Sequence, residues 1–170
     1  MSNAAGSLAP WQWIGVPMLL CLIWTILFAI PVRVFGLQLP EPVFAMWPVF
    51  AWAMIRPSIL APMAVLLLGL FLDIFWGGPL GLWALSLLAA YGAVLAARTM
   101  MIGQSAPVLW IWYAAVTGLA LGMGALITII RTQAVPSPYI LLWQFVATIL
   151  LYPFSQRLID RFEDADVRFR

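Results

Sequence analysis

The chain has 170 residues, of which 65% are hydrophobic and only 8% are charged; it contains eight arginines, six acidic residues, no lysine and no histidine. Soluble domains carry charge on about 25% of their residues, so this composition, with a mean hydropathy of +1.06, excludes a water-soluble domain and predicts an integral membrane protein. The formal net charge is +2, with no basic patch outside the C-terminal tail, and this argues against nucleic-acid binding.

Apolar runs follow one another along the chain, separated by prolines, glycines and arginines. A helix that crosses the hydrocarbon needs about 20 apolar residues. Long runs without alternation indicate helices, so we predict an all-α membrane domain of about six transmembrane helices over residues 14–156. A polar segment, 1–13, precedes this domain and a charged tail, 157–170, follows it. The predicted helices cover 14–34, 43–55, 58–75, 82–97, 108–130 and 139–154.

The second run is the weakest of the six. It is short, has Pro48 in its middle, and is closed by Arg56 and Pro57. It spans the bilayer only if it begins near Leu37 or is irregular. A re-entrant or interfacial segment is the alternative.

The arginines predict the orientation of the domain. With six helices, the side that holds both termini carries six arginines, and the opposite side carries Arg33 and Arg131. Because arginine-rich loops stay in the cytoplasm, we expect cytoplasmic termini and an outward-facing turn at 77–81. Tryptophans near the predicted helix ends are typical of the headgroup belt.

Small residues recur every four positions in the fifth predicted helix, at Ala114, Gly118 and Gly122. This spacing lets helix backbones approach each other closely. It predicts a packing face toward other helices of the chain or toward a partner helix, and packing within the chain is the favoured interpretation.

Groups that carry chemistry are scarce in this sequence. Without histidine and with a single cysteine, the chain has no Cys–His pair and no transition-metal cluster, so we expect no metal and no cofactor. The turn at 77–81 lacks the lysine and the Ser or Thr of a phosphate-binding loop. Nothing pairs Glu41 with Asp73, the two carboxylates outside the tail, as acid and base. An enzyme is therefore not expected.

Asp73 lies near the end of an apolar run, where inserting a carboxylate into a membrane costs about 2.5–3.5 kcal/mol. We expect it to cap backbone amides of the turn at 77–81, ahead of the fourth helix. The alternatives are proton or ion coupling, or a polar contact with another subunit.

From Gly69 to Tyr91 an apolar helix ends in Gly-x-x-x-Asp, and a glycine-rich turn and an alanine- and leucine-rich helix follow. This stretch resembles the signature of the bacterial rod shape-determining MreD family. The Pro…Trp…Pro pattern upstream and the Leu-Leu-Tyr-Pro-Phe run before the tail are also similar to that family. The residues that carry the family motif and its turn are Gly69, Asp73, Gly77, Gly78, Pro79 and Gly81.

The resemblance implies a fold similar to the S component of energy-coupling factor transporters. It also implies a non-enzymatic scaffold in the elongation machinery of the bacterial inner membrane. The implied partners are MreC first, and then MreB, RodA and a class B penicillin-binding transpeptidase, all at the lipid bilayer.

The alternative is an S component-like protein that binds a small vitamin-type substrate for uptake. A vitamin site needs several convergent polar groups in a buried pocket. The polar side chains within the runs are few, which favours the scaffold: Thr25, Asp73, Ser86, Thr117, Thr128, Gln144 and Thr148.

Overall fold

The computed structural model describes residues 11–29, 33–34, 37–38, 41–55 and 58–167, and these residues are almost entirely helical. A π-helical turn, Trp11–Gly15, leads into the first helix. Two short strands pair antiparallel, with Arg33 opposite Gln38. The elements are α1 (Val16–Phe28), β1 (Arg33–Val34), β2 (Leu37–Gln38), α2 (Met46–Ile55), α3 (Leu60–Phe75), α4 (Leu82–Met101), α5 (Ala106–Thr132), α6 (Pro138–Ile149) and α7 (Tyr152–Val167).

Within the described chain, three helical stretches are long and apolar enough to cross a membrane: Leu82–Met101, Ala106–Thr132 and Pro138–Arg161. Three further apolar helices are shorter. The ten residues of α2 rise about 15 Å, half of the roughly 30 Å hydrocarbon core. The helical class and the apolar character of the six segments are therefore confirmed, whereas three of the six have the length of a complete span.

Helix α2 lies at the centre of the bundle. Every residue from Met46 to Ala53 is buried, and α2 packs against α1, α3, α4 and α7. A helix that is apolar all round is one that other elements surround. Pro48 lies in the first turn, where its backbone nitrogen has no helical acceptor to lose. Pro48 thus lies in the middle of the apolar run 43–55 but in the first turn of the helix, because the helix begins only at Met46.

A break after Ile149 divides the predicted sixth helix into α6 and α7. Pro153 has no N–H to donate to the Ile149 carbonyl four residues earlier, and its ring crowds that carbonyl. The Ile149 carbonyl instead accepts the Trp110 indole N–H at 3.2 Å. The neighbouring Thr148 carbonyl accepts the Tyr113 hydroxyl at 3.3 Å. Helix α5 thus supplies donors that the break requires in an apolar environment.

Two helix ends differ most from the predicted boundaries. Helix α1 stops at Phe28 rather than at Val34, and Arg33–Val34 form strand β1 instead. Helix α7 continues to Val167, so residues through Val167 of the predicted charged tail, 157–170, extend the last helix. Of the predicted N-terminal segment, residues 1–10 lie outside the described part of the chain.

Candidate functional site

Asp73 joins the end of α3 to the start of α4. Its side chain is fully buried. Oδ2 accepts the Gly81 N–H at 2.8 Å, and Oδ1 accepts the Trp83 N–H at 2.7 Å. Gly81 is the N-cap of α4, so the carboxylate lies at the positive end of that helix. The expectation that Asp73 caps the turn is confirmed.

Gly69 brings the two helices together one turn before Asp73. A Cβ built on Gly69 would overlap the Ala84 Cα and stand 2.6 Å from the Ala84 nitrogen. Residues four apart lie on one face of a helix, so Gly69 and Asp73 both face α4. The Gly-x-x-x-Asp spacing therefore has a physical basis: the glycine permits a close backbone approach, and the carboxylate holds the next helix at its N-terminus.

The turn between α3 and α4 needs glycine at two positions. Gly77 has φ = 64° and Gly81 has φ = 94°, in the left-handed region that side chains disfavour. The Gly78 N–H donates to the Asp73 carbonyl at 3.0 Å, and the Leu82 N–H donates to the Pro79 carbonyl at 3.1 Å. The residues that carry the resemblance thus form one local unit, which we call the α3–α4 joint: Gly69, Asp73, Gly77, Gly78, Pro79 and Gly81.

Glu41 ties the chain that enters α2 to this joint. The Trp76 indole N–H donates to Glu41 Oε2 at 3.2 Å, and the Trp76 ring packs edge-on against Trp83, with centroids 5.0 Å apart. Burial raises the pKa of Glu41 above its ordinary value of 4.5, and the hydrogen bond from Trp76 opposes that rise. The sequence alone did not indicate this contact, because it joins residues that are 35 positions apart.

Thr148 and Gln144 of α6 hold the non-helical chain that leads into α2. The Val43 N–H donates to Thr148 Oγ1 at 3.0 Å, and the Gln144 side-chain amide donates to the Glu41 carbonyl at 3.1 Å. The Thr148 hydroxyl donates in turn to the Gln144 carbonyl at 2.7 Å. Backbone outside helices needs such partners inside a membrane protein, where water is scarce.

Four other hydroxyls bond to their own helices. Each donates to the carbonyl four residues earlier at 2.7–2.8 Å: Thr25, Ser86, Thr117 and Thr128. Throughout the described residues, no buried side-chain nitrogen or oxygen lacks a hydrogen-bond partner. All seven polar side chains of the apolar runs, which are the candidates for a vitamin site, therefore bond to the backbone of the bundle itself.

The stripe at Ala114, Gly118 and Gly122 lies toward the outside of α5. Gly118 and Gly122 are exposed, and a Cβ on Gly122 would meet nothing within 4 Å. A Cβ on Gly118 would only touch the Phe145 ring, at 3.6 Å. Packing within the chain, the favoured interpretation, does not hold for Gly122, whereas Gly118 faces Phe145 of α6. The buried face of α5 carries Gly124 instead. Contact with a partner helix stays a prediction.

A groove of about 690 Å³ lies between α1 and α7, and we call it the α1–α7 groove. Its apolar wall includes Val16, Leu20, Trp24, Phe28, Phe154 and Leu158, and its lining also includes Arg157, Asp160 and Arg161. The sequence alone did not indicate this groove, because it forms where residues of the first and last helices line a shared space. The one available signal was the pair of arginines four residues apart after the last apolar run.

No group of three or more metal-binding side chains (His, Cys, Asp or Glu) occurs among the described residues. The polar side chains of the bundle instead form hydrogen bonds to backbone groups, and these bonds hold the helices around the buried helix α2. No family model matches the chain, and no curated protein and no solved structure matches it either.

Proposed function

We propose that this chain is a non-enzymatic scaffold of the bacterial inner membrane, which acts in the elongation machinery as the resemblance to the MreD family implies. Its fold would then be similar to that of the S component of energy-coupling factor transporters. MreC is the first proposed partner, and MreB, RodA and the class B penicillin-binding transpeptidase are the others.

One observation carries this proposal: the polar side chains of the interior are engaged in holding the bundle together. Both carboxylate oxygens of Asp73 accept hydrogen bonds from backbone N–H groups at the start of α4. Thr148 and Gln144 bond to the chain that enters α2. A scaffold needs a rigid arrangement of helices, and buried polar groups that are fully paired supply rigidity.

The alternative, uptake of a vitamin-type substrate, requires polar groups that converge on a cavity and remain free to bond a ligand. The hydroxyls of Thr25, Ser86 and Thr117 already donate within their own helices. The α1–α7 groove has a mainly apolar wall. These features favour the scaffold over the transporter component.

The proposed topology has six membrane segments and cytoplasmic termini. The C-terminal ends of α2 and α4 lie together, because Arg98 donates to the Met54 and Ile55 carbonyls at 3.0 and 3.1 Å. Helices α2 and α4 therefore run in the same direction, as expected when successive helices alternate in direction. The six-to-two arginine distribution predicts which side of the membrane is cytoplasmic.

This topology can be tested in a Cys21→Ala background with single cysteines at Ser2, Gly78 and Arg170. An impermeant thiol reagent added to intact cells should label position 78 alone. Labelling at either terminus would refute the orientation.

Affinity purification of the tagged chain from membranes tests the function. We expect MreC among the proteins that co-purify in detergent, together with other elongation proteins. Recovery of the chain with a stoichiometric vitamin and without MreC would favour the uptake component and reject the scaffold.

A further inference from the structure

We propose that the α1–α7 groove binds one anionic phospholipid. One acyl chain would lie along the apolar wall, and the phosphate would lie between Arg157 and Arg161. This site does not depend on the scaffold proposal, since it follows from the shape and charge of the groove itself.

The apolar wall has the length of an acyl chain. From Val16 to Phe28 the wall rises about 18 Å, at 1.5 Å per residue, which matches the roughly 15 Å of one leaflet. Leu20, Trp24 and Phe28 leave 43%, 41% and 43% of their surfaces exposed, although they face the groove. A hydrocarbon chain would cover these surfaces and fill a volume that is ordinary for a ligand site.

The charged end of the groove fits a phosphate. Arg157 and Arg161 are four residues apart on α7 and therefore lie on one helix face. With Asp160 they give this end of the lining a formal charge of +1, from two arginines and one aspartate. Guanidinium groups pair with phosphate through two parallel hydrogen bonds, and basic pockets between transmembrane helices bind anionic headgroups.

The guanidinium of Arg157 lies next to the apolar wall of the groove. Its guanidinium carbon lies 6.0 Å from the centre of the Phe154 ring, which is itself part of the wall. A cation over an aromatic face is held there electrostatically. The groove thus combines an apolar wall with charge at one end. A phospholipid has this same distribution, with its charge at one end of an apolar chain.

Native mass spectrometry of the purified full chain tests this site. The probe is an equimolar mixture of phosphatidylglycerol and phosphatidylcholine with identical acyl chains, added in detergent. We expect the protein to retain one phosphatidylglycerol in preference to phosphatidylcholine. The double variant Arg157→Gln/Arg161→Gln should lose about tenfold or more of that preference, because each basic residue contributes about one kilocalorie per mole of attraction to anionic lipid. Arg131→Gln, at the end of α5, should keep it.

A matched pair of variants on α1 separates the groove from general lipid contact. Leu20→Trp fills the groove, whereas Leu19→Trp adds the same side chain at an equally exposed position that does not line it. We expect Leu20→Trp alone to reduce lipid retention, while both variants keep the melting temperature of the wild type. Equal retention of the two lipids, unchanged preference in the double variant, or a protein dimer that Leu20→Trp dissociates would each overturn the proposal.

Discussion

The α3–α4 joint and the outward stripe of α5 have the same spacing in sequence and opposite surroundings in the structure. Gly69 packs against the Ala84 backbone, whereas Gly122, which follows Gly118 at the same interval, has open space beside it. The difference is Asp73, four residues after Gly69, whose carboxylate accepts two backbone N–H groups at the start of the neighbouring helix. Small residues permit close approach, but a directional polar contact decides which helix approaches.

Replacing Asp73 should produce the largest effect. Asp73→Leu leaves the partly buried Gly81 and Trp83 N–H groups without acceptors, at a cost of up to about 1–3 kcal/mol for each donor. Asp73→Asn offers one carbonyl oxygen for two donors and should lose about half as much. Unfolding in mixed detergent micelles measures the difference. Wild-type stability in both variants would show that the capping bonds do not hold the joint.

Gly69→Ala should come next. Its Cβ would overlap the Ala84 Cα, and the backbones must separate, at a cost of about 1–3 kcal/mol. Gly122→Ala is the matched control, since it fills open space and gains about 0.5–1 kcal/mol of helix propensity. The comparison fails if the two substitutions change the free energy of unfolding in the same direction.

A substitution at the break between α6 and α7 should change the free energy of unfolding by a smaller amount. Tyr113→Phe removes the donor to the Thr148 carbonyl and should cost about 0.6–2 kcal/mol, the range for hydrogen bonds between transmembrane helices. Ile111→Val, at an exposed position of the same helix, should change the unfolding free energy much less. An unchanged unfolding free energy in Tyr113→Phe would mean that the break does not need this donor.

Glu41 should make stability depend on pH. Because burial raises its pKa in the folded state, its stabilising contribution is complete below pH 4.5 and is lost as the pH rises through the raised pKa. Glu41→Gln keeps an acceptor for Trp76 and removes the titration. From about pH 4 to about pH 8, the melting temperature should therefore fall more in the wild type than in the variant. Equal falls would contradict the assignment, because the tail carboxylates are common to both proteins.

The smallest effect on folding should come from Gly122→Leu. The position is open, so the melting temperature should stay within about 2–4 °C of the wild-type value. Recovery of co-purified MreC is the informative measurement. A loss of MreC with normal folding would show that the stripe is a partner surface. A loss of folded protein would contradict the open position and show that the stripe packs within the chain.

The sequence predicted the features that depend on local chemistry. The bounds of α3, α4 and α5 follow from apolar runs that end at turns or arginines, and differ from prediction by a few residues. The Asp73 cap was predictable, because a carboxylate beside a glycine-rich turn has backbone amides within reach.

Features that depend on which helices become neighbours were not predictable. The contact between Glu41 and Trp76 joins segments distant along the chain. Periodicity placed Ala114, Gly118 and Gly122 on one face but did not indicate what lies opposite that face. The break before Pro153 is stable because Trp110, on another helix, reaches the Ile149 carbonyl.

Cell shape after depletion tests the proposed scaffold most directly. Under the proposed function, depletion of this chain from the cells that encode it should turn rods into round cells and disperse lateral peptidoglycan synthesis. A wild-type copy should restore the rods, and Asp73→Leu should restore them less well than Asp73→Asn. Cells that remain rod-shaped, with normal lateral wall synthesis after the chain is gone, would contradict the proposed function.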